Sequence, residues 1–223
     1  MTKQKGLVIF GSGHLAEIAH YYFSRDTSYE VLAFTLEDDY ISSNELQGLP
    51  VVKFSQISAM FPSDNCDLFV ALGYTKLNEI RKRIYMDVKS MGYHLPSYIS
   101  SRASVLNDGN IGDNCFILED NTIQPFSKIG NNVTLWSGNH IGHHAVIGDH
   151  SFLASHIVVS GGVLIGEQTF IGVNATIRDH IQIGAKCVIG AGALILQDAD
   201  PEGVYIGQAT ERSRVPSTRL RRI

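Results

Sequence analysis

The chain has no apolar run approaching the ~20 residues of a bilayer span, so no segment reads as crossing a membrane. Met1 to Lys5 is polar, and Gly6–Phe10 is too short for the apolar core of a signal peptide, so a cytoplasmic location is expected. There are three cysteines, an odd number, and they give no disulfide framework. Charge is sparse too: 18% of residues are charged and the net charge is −4, which argues against a nucleic-acid partner. The basic residues Arg212, Arg214, Arg219, Arg221 and Arg222 cluster at the C-terminus. They read as a solvated tail in preference to a contact with a cofactor's phosphates.

What is present in abundance is a period. Seventeen aliphatic residues occupy every sixth position without a gap from Ile99 to Ile195. A period of six suits neither an ordinary helix nor an alternating strand. It is the signature of a β-helix of hexapeptide repeats. Two residues before each aliphatic from Val105 onward stands a second inward position, running Ala103, Gly109, Cys115 and so on to Ala193. Fourteen of those sixteen residues are small, with Ile157 and Ile181 the exceptions. One large and one small side chain per hexad fill a narrow triangular prism without voids. Three hexads make a coil of 18 residues. Cys115 and Cys187 stand four coils apart, about 19 Å at the usual strand spacing, too far to bridge. Glycine commonly follows the aliphatic, at Gly112, Gly130, Gly142, Gly148, Gly166, Gly172, Gly184 and Gly190. These are expected at corners that need an unusual φ.

Residues 1–97 read differently, as strands alternating with helices around a small parallel sheet. Gly6–Phe10, Val31–Phe34 and Asp67–Leu72 are predicted strands. Leu15–Phe23 and Lys76–Met91 are predicted helices, with Gly92 ending the second. The predicted organisation is a Rossmann-like α/β domain over 1–97, a left-handed parallel β-helix over 98–199, and a cap and tail over 200–223. The flat faces of such a prism are expected to bury themselves against two copies in a homotrimer.

Five histidines fall in one window: His140, His143, His144, His150 and His156. None occupies an inward position, so all five are expected to point outward. His144, His150 and His156 are spaced by six and fall on three faces of one coil, so they do not converge on a metal within one prism. His143 is the best candidate base, because imidazole titrates near neutrality and can take the proton of an attacking amine or hydroxyl. A backbone N–H is the cheapest donor for the tetrahedral intermediate. The alternative is that these histidines are exposed polar residues and nothing more.

Gly11-Ser12-Gly13-His14, Ala71-Leu72-Gly73, Asn78-Glu79-Ile80-Arg81-Lys82, His143-His144-Ala145-Val146-Ile147-Gly148-Asp149 and the hexapeptide array occur in this order. With them the whole chain resembles the sialic acid O-acetyltransferase-like family of nucleotide-sugar acyltransferases. That family includes the bacillosamine and perosamine N-acetyltransferases. The resemblance implies an acetyl-CoA-dependent N-acetyltransferase, needing no metal, that acts on the amino group of a UDP- or dTDP-linked amino-deoxy sugar. It implies a trimer with acetyl-CoA between neighbouring prisms and His143 as general base. His144 stands where relatives carry an acidic orienting residue. Trp136 replaces an asparagine seven residues before the base, and Phe152 a histidine nine residues after it that meets acetyl-CoA. Asn139 and His140 are candidate replacements for the lost polar group. Gly161, Val173 and Ala191 would line the acetyl-CoA groove, with Gly161 the oxyanion donor. Gly11, Ser12, Gly13 and His14 would cradle the diphosphate at a helix start. Thr35, Gly73, Asn78 and Arg81 are further candidate contacts, Arg81 equally readable as a helix-surface charge. Trp136 could pack on the sugar ring or cover a prism edge. Two other readings stand beside this one: a sugar O-acetyltransferase, and a non-catalytic β-helix scaffold. A dinucleotide-dependent activity is set aside, since Ala16 breaks Gly-x-Gly-x-x-Gly.

Overall fold

A computed structural model describes residues 5–219. The N-terminal part is a five-stranded sheet in the order β3-β4-β2-β1-β5. Its strands are β1 (Gly6–Phe10), β2 (Glu30–Leu36), β3 (Glu45–Leu46), β4 (Leu49–Lys53) and β5 (Cys66–Val70). All neighbours are parallel except β3 and β4. β1 and β5 are buried throughout because helices and the prism cover both faces, which is why they are continuous apolar runs. The β3–β4 hairpin was not anticipated. Its signal is Gln47-Gly48, two residues with positive φ between Leu46 and Leu49, the chemistry of a tight hairpin turn.

Two main helices flank the sheet, α1 (His14–Asp26) and, after the short α2 (Ile57–Met60), α3 (Glu79–Ser90). Here α3 is shorter than the predicted Lys76–Met91. Lys76, Leu77 and Asn78 all have positive φ, 50°, 51° and 64°, and form a left-handed turn instead of a first helical turn. Met91 caps the helix and Gly92 follows it with φ 83°.

From Tyr98 the chain winds into a left-handed parallel β-helix of three sheets. The first face carries strands Tyr98–Ile99, Phe116–Ile117, Thr134–Leu135, Phe152–Leu153, Phe170–Ile171, Val188–Ile189 and Val204–Tyr205. The second face runs from Ser104–Val105 to Leu194–Ile195, and the third from Lys128–Ile129 to Gln182–Ile183. Strands pair with the one 18 residues on, as in Thr134↔Phe152, until the last coil, where Val188 pairs with Val204 at a spacing of 16. The core is one continuous column from Cys115 to Ala199. Each fully buried aliphatic in it contributes roughly 1.5–3 kcal/mol. The period outruns the core at the amino end. Ile99 is 38% exposed, and Val105 and Ile111 are only partly buried, because no coil lies beneath them.

The corners correct the reading of the glycines. Every sixth residue from Asp108 to Gly192 has positive φ, and most are Asn, Asp, His or Gly, the types that tolerate the left-handed region best. The glycines that follow the aliphatics are absent from that series. They are needed for closeness: a Cβ on Gly142 would stand 2.6 Å from the backbone N of Gly161 in the next coil. The cysteines Cys66, Cys115 and Cys187 are free and buried. Among the described residues no helix is long and apolar enough to cross a membrane.

The N-terminal part sits on the first face. Tyr98, Phe116, Thr134 and Phe152 point outward there yet are buried. Aromatic rings make the joint: Tyr22–Tyr98 at 5.1 Å and Phe69–Phe116 at 5.5 Å between centroids. The edge strand β5 is capped by the prism, since Val70 N–H donates to Asn114 Oδ1 at 2.8 Å and Asn114 Nδ2 donates to Val70 O. This joint fixes the carboxyl end of the sheet against one flank of the coil.

Candidate active site

His143 lies at the edge between the second and third faces, exposed, with its backbone N–H donating to Gln124 Oε1 at 2.9 Å. Its imidazole lies against Gly161 of the next coil, where a Cβ would stand 2.6 Å from Cε1 and 2.7 Å from Nε2. His143 Nδ1 is 3.1 Å from Nδ1 of His144, whose ring rests on Phe126 at 4.9 Å. A proton on one Nδ1 serves both rings. When His143 carries it, Nε2 is left as a free base. His143, His144 and Gly161 therefore share one edge.

A second group gathers at the edge between the first and second faces. An apolar groove of about 420 Å³ is lined by Tyr74, Trp136, Phe152, Phe170, Val173 and Ala191, among others. Trp136, Phe152, Val173 and Ala191 were expected near the site, whereas Tyr74 and Phe170 were not. The signal for Phe170 is that Phe116, Phe152 and Phe170 are aromatics at multiples of 18 on outward positions, whereas nothing in the sequence marks Tyr74. Trp136 also walls a larger cavity of about 840 Å³ against α1, shared with Tyr21, Tyr22 and Glu119. The second face separates this groove from His143 within one chain.

The third group is at the carboxyl end of the sheet. Gly11 has φ +134°, and a Cβ there would stand 2.7 Å from Ala71 O, so the turn needs glycine twice over. Ser12, Gly13 and His14 are exposed, and no side chain caps the first turn of α1. Ala71 N–H donates to Phe10 O, which brings Gly73 beside this turn.

Several expected site residues are spent on structure. Thr35 is fully buried, and its hydroxyl donates to Val52 O at 3.0 Å. Arg81 is 1% exposed, neither a surface charge nor open to a ligand. Its guanidinium donates to Asn78 Oδ1 and to the carbonyls of His150 and Ser151. It also donates to Thr134 Oγ1. Burial pulls its pKa down to about 9. Asn78 is fully buried as its partner. Asn139 is buried too: its Oδ1 accepts from Ile157 N–H and its Nδ2 donates to Trp136 O, a wholly structural role.

His150 points outward from the prism as expected, yet it meets neither solvent nor a free face. It is 5% exposed beneath α3, with Tyr85 at 5.4 Å. Asn114 donates to Asn132 and Asn132 Nδ2 pairs with His150 Nδ1 at 3.0 Å, a ladder at 18-residue spacing. Burial, with Lys82 nearby, lowers its pKa to about 4. His144, His150 and His156 are left-handed corner residues, which explains their spacing without any shared chemistry. No group of three metal-ligating side chains converges among the described residues. Of the basic tail, Arg212, Arg214 and Arg219 are exposed, and Arg221 and Arg222 lie outside the described residues.

The bacterial transferase hexapeptide (six repeats) model matches residues 126–161 and 162–197. No curated protein sequence matches the chain. Among solved structures, perosamine N-acetyltransferase from Caulobacter crescentus, as a variant in complex with CoA and GDP-perosamine, is 26% identical with a TM-score of 0.82. That match covers 91% of this chain and 93% of the other. The acetyltransferase domain of PglB from Neisseria gonorrhoeae is 23% identical with a TM-score of 0.78, covering 87% and 93%. WeeI from Acinetobacter baumannii is 18% identical with a TM-score of 0.77, covering 90% and 96%. The repeat match places hexapeptide repeats over residues 126–197, and the full-length likenesses show that the chain has the two-part fold seen in these acetyltransferases.

Proposed function

We propose that the protein is an acetyl-CoA-dependent N-acetyltransferase acting on the amino group of a nucleotide-linked amino-deoxy sugar in the cytoplasm. The observation that carries this is the 26% identity over nine-tenths of the chain to an enzyme bound to CoA and GDP-perosamine. An exposed imidazole laid on a glycine backbone supplies matching chemistry. In this reading His143 takes the proton of the attacking amine, His144 holds its other nitrogen, and the Gly161 N–H donates to the oxyanion. The amine attacks the thioester carbonyl directly, the tetrahedral intermediate collapses, and the coenzyme A thiolate leaves with the proton returned from His143.

The groove of Phe152, Val173 and Ala191 would take the donor. Ser12, Gly13 and His14 would hold the diphosphate on the uncapped helix start, beside Gly73. One prism presents base and groove on different edges, so the site is completed where the base edge of one copy meets the groove edge of the next in a homotrimer. No metal is required.

The test is a panel of UDP-, dTDP- and GDP-linked amino and hydroxy sugars with acetyl-CoA. Amino sugars should be acetylated and hydroxy sugars not. Acetylation confined to hydroxyls would make it an O-acetyltransferase, and no binding of acetyl-CoA by calorimetry would favour a scaffold.

A further inference from the structure

Tyr74 follows Gly73 on the loop that leaves the carboxyl end of β5. Its ring packs at 4.6 Å from that of Phe170 and 4.9 Å from that of Phe152, and it remains 53% exposed. It lines the groove together with Val173 and Ala191. One wall of the groove is thus aromatic and comes partly from the N-terminal domain. The other is the edge of the coil. A slot of this kind suits a thin, extended chain of methylenes and amides.

The loop is held in a costly shape. Lys76, Leu77 and Asn78 are three successive non-glycine residues in the left-handed region, which crowds Cβ against the backbone of an L-residue. Such a turn persists only when its surroundings impose it. Asn78 supplies the hold: Nδ2 donates to Gln168 O at 3.4 Å, and Oδ1 accepts from Arg81 at 3.0 Å. Arg81 has no carboxylate partner among the described ion pairs, and it is anchored instead by the His150 and Ser151 carbonyls. Its guanidinium also lies 5.6 Å from the Phe152 ring, the ring on which Tyr74 packs. One buried cation therefore ties the α3 domain, the left-handed turn and the groove floor together.

We propose that Tyr74 is a donor-binding residue whose ring walls the slot for the pantetheine arm of coenzyme A, and that Asn78 and Arg81 are positioning residues that hold it there. This rests on the acyltransferase reading above. The competing role for Tyr74 is to shield Phe152 and Phe170 from water, which would affect stability alone.

The two separate by calorimetric titration with coenzyme A and by steady-state kinetics on the full-length protein. Tyr74→Ala should weaken coenzyme A affinity about tenfold and raise KM for acetyl-CoA equally, with kcat within about twofold. Tyr74→Phe should bind like the parent, since the ring does the packing. Asn78→Ala should reproduce the Tyr74→Ala loss. Asn78→Gly, which adopts the left-handed turn freely, should recover most of it. Arg81→Met should behave as Asn78→Ala, and should it fail to fold, the Asn78 pair decides the positioning role. Unchanged coenzyme A affinity in Tyr74→Ala overturns the proposal while leaving the acyltransferase reading standing. A parent protein that binds no coenzyme A overturns both.

Discussion

His143 and Gly161 are in contact across neighbouring coils: the imidazole occupies the space that a side chain at Gly161 would fill, 2.6 Å from Cε1. Gly161→Ala should therefore displace the ring and, with it, the relation between base and oxyanion donor. Turnover should fall about 100-fold. The melting temperature should change little, because the edge is exposed. Retained activity would show that the contact has no part in the reaction.

Removing the imidazole is the direct test of the base. His143→Ala should lower kcat by ~10²–10⁴-fold while the oligomer survives. Sedimentation of the variant checks assembly, and unchanged turnover removes His143 from the mechanism.

The separation of base and groove on two edges makes a sharper prediction. A His143→Ala protein and an Ala191→Trp protein should each be inactive alone. Co-expressed and purified as mixed trimers, they should regain activity at interfaces that pair an intact base with an intact groove. No recovery from verified mixed assemblies would place the site within one chain.

His150 links stability to pH. Its folded pKa is depressed to about 4 by burial, against about 6.5 in an unfolded chain. Between those values the unfolded state binds a proton that the folded state refuses. The contribution is thus complete above pH 6.5 and is lost as pH falls toward 4, by about 1–3 kcal/mol. Urea unfolding at pH 8, 6 and 4.5 measures it, and His150→Asn should flatten that part of the profile. An equal slope in the variant would assign the effect elsewhere.

Exhaustive dialysis against a chelator should leave turnover within twofold of the untreated protein. A tenfold loss restored by one divalent metal would contradict the metal-free mechanism.

How much of this was legible beforehand differs by region. The prism was readable from Ile117 to Ile195, because inward aliphatics recur at a spacing that only this coil produces. The sheet strands were readable as continuous apolar runs. The β3–β4 hairpin was missed because β3 is only two residues long, β4 is interrupted by Pro50 and half-exposed, and only Gln47-Gly48 marks the turn. The left-handed turn at Lys76–Asn78 was read as helix because these residues carry ordinary helical chemistry, and the tie from Asn78 to Gln168 O of the prism is written nowhere nearby in the chain. Of the candidate residues, His143 with Gly161, and Trp136 with Phe152, Val173 and Ala191, fall into two spatial groups. Thr35, Asn78 and Arg81 turn out to be bound up in the fold.

The winding of the chain is a local rule: each hexad meets only the coil 18 residues away, so its pattern is written along the chain and needs no distant partner. The fate of the outward side chains is not local. Arg81 looks like a solvated helix charge, and His150 like an exposed corner, until the N-terminal domain closes over the first face and removes water from both. The desolvation that makes one a buried anchor and the other a neutral imidazole belongs to the packing of two elements 69 residues apart, and only the assembled structure decides it.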